Sequence, residues 1–143
     1  MWWIIAGISL AVFARRADAR SKRKIAVVPG GKLTGRYMVK RTATHWHRGI
    51  DVGAKKGTPI RSVSDGWVAG VYPDCERRGY GNSLLIQHTD FSYAFYAHMR
   101  GFAVEDGQWV RQGQLVGYVG DTECGATTSG KIWPHLHMEI HAG

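Results

Sequence analysis

Residues 134–141, Pro-His-Leu-His-Met-Glu-Ile-His, alternate polar and apolar side chains without a break. Period two belongs to a β-strand, whose successive side chains point to opposite faces. It predicts that His135, His137, Glu139 and His141 share one face and that Leu136, Met138 and Ile140 share the other. The apolar face can enter a core while the polar face looks into a cleft. Taken alone, an edge strand with solvated histidines satisfies the same pattern.

The rest of the chain agrees with a fold made of strands. It has 143 residues with 44% hydrophobic content, enough for one core. Nineteen glycines and few helix-period segments point to turns and strands. Short strands are expected near residues 50–53, 59–63, 67–72, 83–88, 91–98, 108–110, 114–119 and 135–141. Asp65-Gly66 and Asp106-Gly107 read as hairpin turns. The spacing predicts an all-β, small antiparallel β-sandwich or barrel-like domain. Along 91–98, Phe91, Tyr93 and Phe95 alternate with Ser92, Ala94 and Tyr96, which places His98 on the Tyr96 face.

The histidines suggest a metal. His47 and Asp51 lie four apart around Gly49, which disfavours a helix there. On an extended segment residues 47, 49 and 51 share a face, and Gly49 leaves room between two metal-binding side chains. With His98 in Tyr96-Ala97-His98 and the pair His135-Leu136-His137, the chain supplies three zinc ligands and two spare imidazoles. That inventory suits a catalytic site, in which three protein ligands leave a fourth position open. A short H-x-H pattern arises easily by chance, and His45-Trp46-His47 is a second one. His45 and His88 read as surface histidines, and His141 as a rim residue.

The order of motifs is more specific. His47-Arg48-Gly49-Ile50-Asp51-Val52 is followed by Gly57-Thr58-Pro59-Ile60, Asp65-Gly66-Trp67-Val68, Gly79-Tyr80-Gly81-Asn82, Tyr96-Ala97-His98-Met99, Gly113-Gln114-Leu115-Val116-Gly117 and Pro134-His135-Leu136-His137-Met138-Glu139. Over about residues 44 to 141 the chain resembles the lysostaphin-type (LytM-like) zinc endopeptidases of bacterial cell walls. The resemblance implies an active-site groove, Zn2+ held by His47, Asp51 and His137, and catalytic roles for His98 and His135. None of the five is missing, unlike degenerate relatives that have lost ligands and serve as activators. Glu139 is the candidate for orienting a histidine on its own face. The chain departs from the family at Trp133, where Gly is usual, and in a longer loop from Asp121 to Lys131. No substrate-binding residue can be assigned from the sequence.

The N-terminal region reads separately. Residues 1–14 form a signal or anchor segment, 15–43 a basic linker arm and 44–143 the metallopeptidase-like domain. The apolar run of residues 2–14 is shorter than the roughly 20 residues that span a bilayer and fits a signal-peptide core better. Val12-Phe13-Ala14 and Ala17-Asp18-Ala19 are both candidate cleavage ends. Yet six Lys/Arg and one Asp follow it in residues 15–24 and carry +5 of the formal +8 charge. That order reverses an ordinary signal and leaves a membrane contact through residues 1–24 open. No nucleic-acid motif accompanies the charge, so no specific nucleic acid is expected. Cys75 and Cys124 either pair or remain free thiols.

Two functions fit. One is a zinc endopeptidase cutting peptides of peptidoglycan stems or cross-links in the cell envelope, with association to a phage particle left open. The alternative is a non-catalytic wall-binding or amidase-activating module of the same fold.

Overall fold

The computed structural model describes residues 24–73, 79–123 and 132–143. Among them are ten strands and no helix: β1 (Lys32–Gly35), β2 (Ile50–Gly53), β3 (Pro59–Arg61), β4 (Gly66–Tyr72), β5 (Ser83–His88), β6 (Tyr93–Ala97), β7 (Met99–Phe102), β8 (Trp109–Val110), β9 (Leu115–Val119) and β10 (His135–His141). They form a seven-stranded antiparallel sheet, ordered β1-β2-β10-β6-β5-β4-β8, and a three-stranded sheet, ordered β3-β9-β7. The expected all-β class holds. The signal or anchor segment and both cysteines lie outside the described residues.

The alternation in residues 135–141 places β10 at the centre of the large sheet, between β2 and β6. Leu136 is fully buried, and Met138 packs against the core cluster. Ile140 departs from the expectation of a buried apolar face. It is 53% exposed, although Ala94 directly opposite it on β6 is fully buried. That cluster joins Leu84, Ile86 and Tyr96 of the large sheet to Ile60, Met99, Val116 and Val119 of the small one. Tyr96 is buried with its hydroxyl accepting a hydrogen bond from the Val63 amide at 3.0 Å. Burial pushes that phenol up to about 12, so it stays neutral.

Two strands were not apparent in the sequence. β1, within the stretch read as a basic linker arm, pairs with β2. β7 begins only one residue after β6 but belongs to the other sheet. The chain changes sheets at His98, whose φ is +59°. A left-handed conformation costs a non-glycine residue on the order of 1 kcal/mol.

Both Asp-Gly pairs differ from the expected hairpins, because the two strands flanking each turn do not pair with one another: β3 and β7 join β9, while β4 lies between β5 and β8. Their carboxylates instead tie distant segments together. Asp65 accepts from the Gln112 amide and Asp106 from the Val71 amide, both at 2.6 Å. The dipeptide marks a turn, but register beyond the turn depends on long-range pairing.

Candidate metal centre

The β2–β10 register sets Asp51 directly opposite His137. Strand pairs of this kind bring side chains on one face within about 5 Å. His47 precedes β2, in a segment folded back on itself: Met38 donates to the His47 carbonyl, and the His47 amide donates to Val39. Its Nε2 then lies 2.9 Å from Asp51 Oδ1 and 3.0 Å from His137 Nδ1, and the third side of the triangle is also 3.0 Å. Tetrahedral ligands about 2.0–2.1 Å from a zinc ion are about 3.3 Å apart, so the triangle is near the required size. His47, Asp51 and His137 are also the described residues whose donor atoms cluster closely enough to hold a metal ion.

The tethers on the outer nitrogens give these rings a defined direction. His47 donates through Nδ1–H to the Arg36 carbonyl at 2.8 Å, leaving Nε2 for the triangle. His137 donates through Nε2–H to Glu139 Oε1 at 2.9 Å, leaving Nδ1. Fixing one imidazole nitrogen in this way sets the tautomer and the orientation of the other. Glu139, 4% exposed, also takes the Tyr80 hydroxyl and His141 Nε2. Its hydrogen bond with His137 is the main reason its carboxyl is held down at about 2, against the opposing effect of burial.

His98 and His135 adjoin the triangle without entering it. Their ring centroids are 4.7 Å apart, and His98 is 6.0 Å from the His137 ring. Each is tethered at Nδ1, His98 to the Thr122 carbonyl at 2.8 Å and His135 to the Trp133 carbonyl at 2.7 Å. Both therefore keep Nε2 free. His135 Nε2 lies 3.9 Å from Asp51 Oδ1. Burial brings His98 down to about 4, so its imidazole is neutral at pH 7.

The position of His98 corrects the strand reading. Strict alternation would send its ring into the core with Tyr96. The left-handed turn at the sheet change sends it into the cleft instead. Thr122 is itself clamped, its hydroxyl donating to the Met99 carbonyl and accepting from the Asn82 amide. Gly81, with φ +58°, approaches Thr122 so closely that a Cβ there would meet its carbonyl at 2.3 Å.

Two further expectations change. Gly49 does not leave open space between ligands. A Cβ there would meet the Met138 carbonyl at 2.3 Å and His137 Cε1 at 2.9 Å, so glycine permits close approach of β10. His88 is not a surface residue. It is 6% exposed, with Nδ1 on the Ser92 hydroxyl, and burial lowers its pKa. His45 is exposed on the cleft wall, and His141 is half-exposed at the rim.

Sequence reasoning missed Arg41. Its Nη2 lies 2.5 Å from Asp51 Oδ2, the oxygen left over by the two histidines. Burial alone would raise the Asp51 carboxyl, but the His137 hydrogen bond and the surrounding imidazoles bring it to about 2. No local pattern flags Arg41, which reaches Asp51 through the fold-back of residues 38–47. Tyr80 did lie in a quoted motif, but its hydroxyl contact with Glu139 is tertiary. The whole group lines a cleft of about 490 Å³.

A family comparison matches residues 45–143 to Peptidase family M23. The chain belongs to that family. The catalytic domain of the antimicrobial peptidase lysostaphin from Staphylococcus simulans superposes with a TM-score of 0.65 at 25% identity, over 78% of this chain and 80% of that one. The chain is 39% identical over 93 residues to the DD-carboxypeptidase/endopeptidase Mpg of Neisseria meningitidis, covering 65% of this chain and 19% of that protein. It is 36% identical over 94 residues to the murein hydrolase activator NlpD of Salmonella dublin, covering 66% and 22%. The chain thus spans about a fifth of the length of these curated relatives. Within that domain His47, Asp51 and His137 form a group that could hold a metal ion.

Proposed function

We propose that this M23 domain is a zinc-dependent endopeptidase that hydrolyses peptide bonds in peptidoglycan stems or cross-links. The observation that carries the reading is the shared orientation of four imidazoles. Each is tethered by one nitrogen to a carbonyl or carboxylate and turns the other into a single cleft. His47, Asp51 and His137 are the proposed ligands, with Glu139 and the Arg36 carbonyl fixing the two rings. Zinc bound there would supply Lewis acidity toward a scissile carbonyl and acidify water.

The remaining steps fall to the side chains. His98 is neutral with Nε2 free, as a general base must be, and would take the proton from attacking water. The imidazolium so formed can return that proton to the leaving amine. His135, beside it and facing Asp51, would hold the developing oxyanion or share the proton transfer. Tyr80 and His141 would keep Glu139 from turning away from His137.

The similarity to a protein named a murein hydrolase activator supports a second reading, a wall-binding or amidase-activating module. The intact donor triangle favours the enzyme. Incubating purified peptidoglycan with the zinc-loaded protein and identifying released muropeptides by mass spectrometry tests the choice. New peptide termini support hydrolysis and identify the bond. No release by the zinc-loaded chain, together with stimulation of an added amidase, would establish the activator.

Residues 1–24 are proposed to contact a membrane or the wall within the cell envelope, through their apolar run and clustered cations. A chain starting at Lys24 keeps the segment that contributes Val28 to the core. It should fold, lose affinity for membranes and retain its activity. A folded but inactive truncation would oppose that division.

A further inference from the structure

The open face of the large sheet carries a row of five aligned side chains, of which the proposed catalysis uses only the innermost, His141. Cross-strand register sets Trp109 opposite Trp67, Trp67 opposite Gln87, Gln87 opposite Tyr93, and Tyr93 opposite His141. Directly opposed residues in a sheet project from the same face. The row therefore shares the face of Glu139 and His137, which alternate with Ile140 and Met138 along β10. The neighbouring row, Val68, Ile86 and Ala94, points the other way and is buried. Four inter-strand steps of about 4.8 Å make the row roughly 19 Å long.

Its outer end is apolar and open. Trp67 is 54% exposed and Trp109 37%, with ring centroids 5.0 Å apart and planes at 68°. Its middle is polar, Gln87 donating an amide hydrogen to the Tyr93 hydroxyl at 2.8 Å. Its inner end is His141, bonded to Glu139, the residue that also holds His137. Between Tyr93 and Glu139 the face is hollowed into a groove of about 460 Å³. The row is thus continuous with the metal cleft. The five row residues include no Lys, Arg, Asp or Glu, and the charged side chains Arg48 and Glu139 line only the groove at the inner end. Along the row itself an uncharged chain-like ligand fits better than nucleic acid. Indole and phenol faces stack on apolar C–H surfaces while amide and hydroxyl groups take hydrogen bonds. A saccharide chain presents both kinds of surface.

We propose that Trp109, Trp67, Gln87, Tyr93 and His141 form a saccharide-binding platform that holds the glycan strand of peptidoglycan while its peptide enters the metal cleft. The proposal rests on the reading of peptidoglycan as substrate. Its test compares the full chain with Trp67→Ala and Trp109→Ala in retention on intact peptidoglycan and on glycan strands stripped of their peptides. Cleavage of a short glycan-free stem peptide is followed in parallel.

Each alanine variant should weaken retention on both materials about tenfold, the scale for truncating an aromatic anchor, and leave cleavage of the free peptide unchanged. Trp67→Tyr, which keeps a ring, should retain most of the binding. Undiminished retention by both alanine variants would overturn the platform. So would a loss confined to intact peptidoglycan, which would assign the row to the peptide. A wild-type chain that cuts nothing would end the proposed enzyme, yet its retention on peptide-free glycan would still decide the platform.

Discussion

Arg41 holds the one oxygen of Asp51 that the histidines leave free. Its Nη2 sits 2.5 Å from Oδ2, while Oδ1 faces both His47 and His137. The guanidinium thereby fixes which carboxylate oxygen turns toward the proposed metal. Arg41→Gln should keep the fold, since Arg41 is exposed, but weaken zinc binding about tenfold or more, as expected for a residue supporting a ligand. Competition with a chromogenic chelator measures this. Unchanged affinity would reduce the ion pair to a surface contact.

The donor triangle predicts one zinc per chain. His137→Ala removes a corner and leaves Glu139 buried without its imidazole, so tight binding should vanish. His45→Ala should bind normally, because His45 stands outside the cluster. Full occupancy in the His137 variant, by elemental analysis, would remove the assignment.

Metal binding and chemistry should separate. His98 and His135 are tethered at Nδ1 and lie outside the triangle, so alanine at either should preserve zinc and fold. Activity should fall about 100-fold or more in each, the scale of a lost general acid or base. The double variant should lose less than the product of the two, since groups acting together are not additive. Zinc loss in a single variant would make that residue a ligand.

The pH dependence follows from His137. Burial alone would lower its pKa, but hydrogen bonds with Asp51 and Glu139 outweigh it and raise it above 6.5. In the metal-free chain this interaction stabilises fully below pH 6.5 and is lost as pH rises through the folded-state value. Zinc must displace the Nδ1 proton, so it competes less well at low pH. The rise in Tm on adding zinc should therefore be larger at pH 8 than at pH 6. Equal rises at the two values would contradict the linkage.

Gly49 tests the close approach of β10. Gly49→Ala puts a methyl against the Met138 carbonyl and His137 Cε1. It should cost about 1–3 kcal/mol, as overpacking does, and weaken zinc binding by displacing the His137 ring. Thermal unfolding and zinc titration of the same variant measure both effects. A fully stable variant with normal affinity would show that the strand can shift freely.

The sequence determined what is local. Period two in residues 135–141 set the strand and the face carrying His135, His137 and Glu139, because strand geometry leaves no other sorting of those side chains. The ordered motifs named the five imidazole and carboxylate residues that the cleft collects. Only the tertiary structure decided which way His98 points, because the chain changes sheets there through a left-handed residue, and periodicity carries no information across such a turn. The same limit hid Arg41, the burial of His88, the exposure of Ile140 and the real pairing around both Asp-Gly turns. Each depends on which distant strand lies alongside, and long-range register has no signature in a run of neighbouring residues.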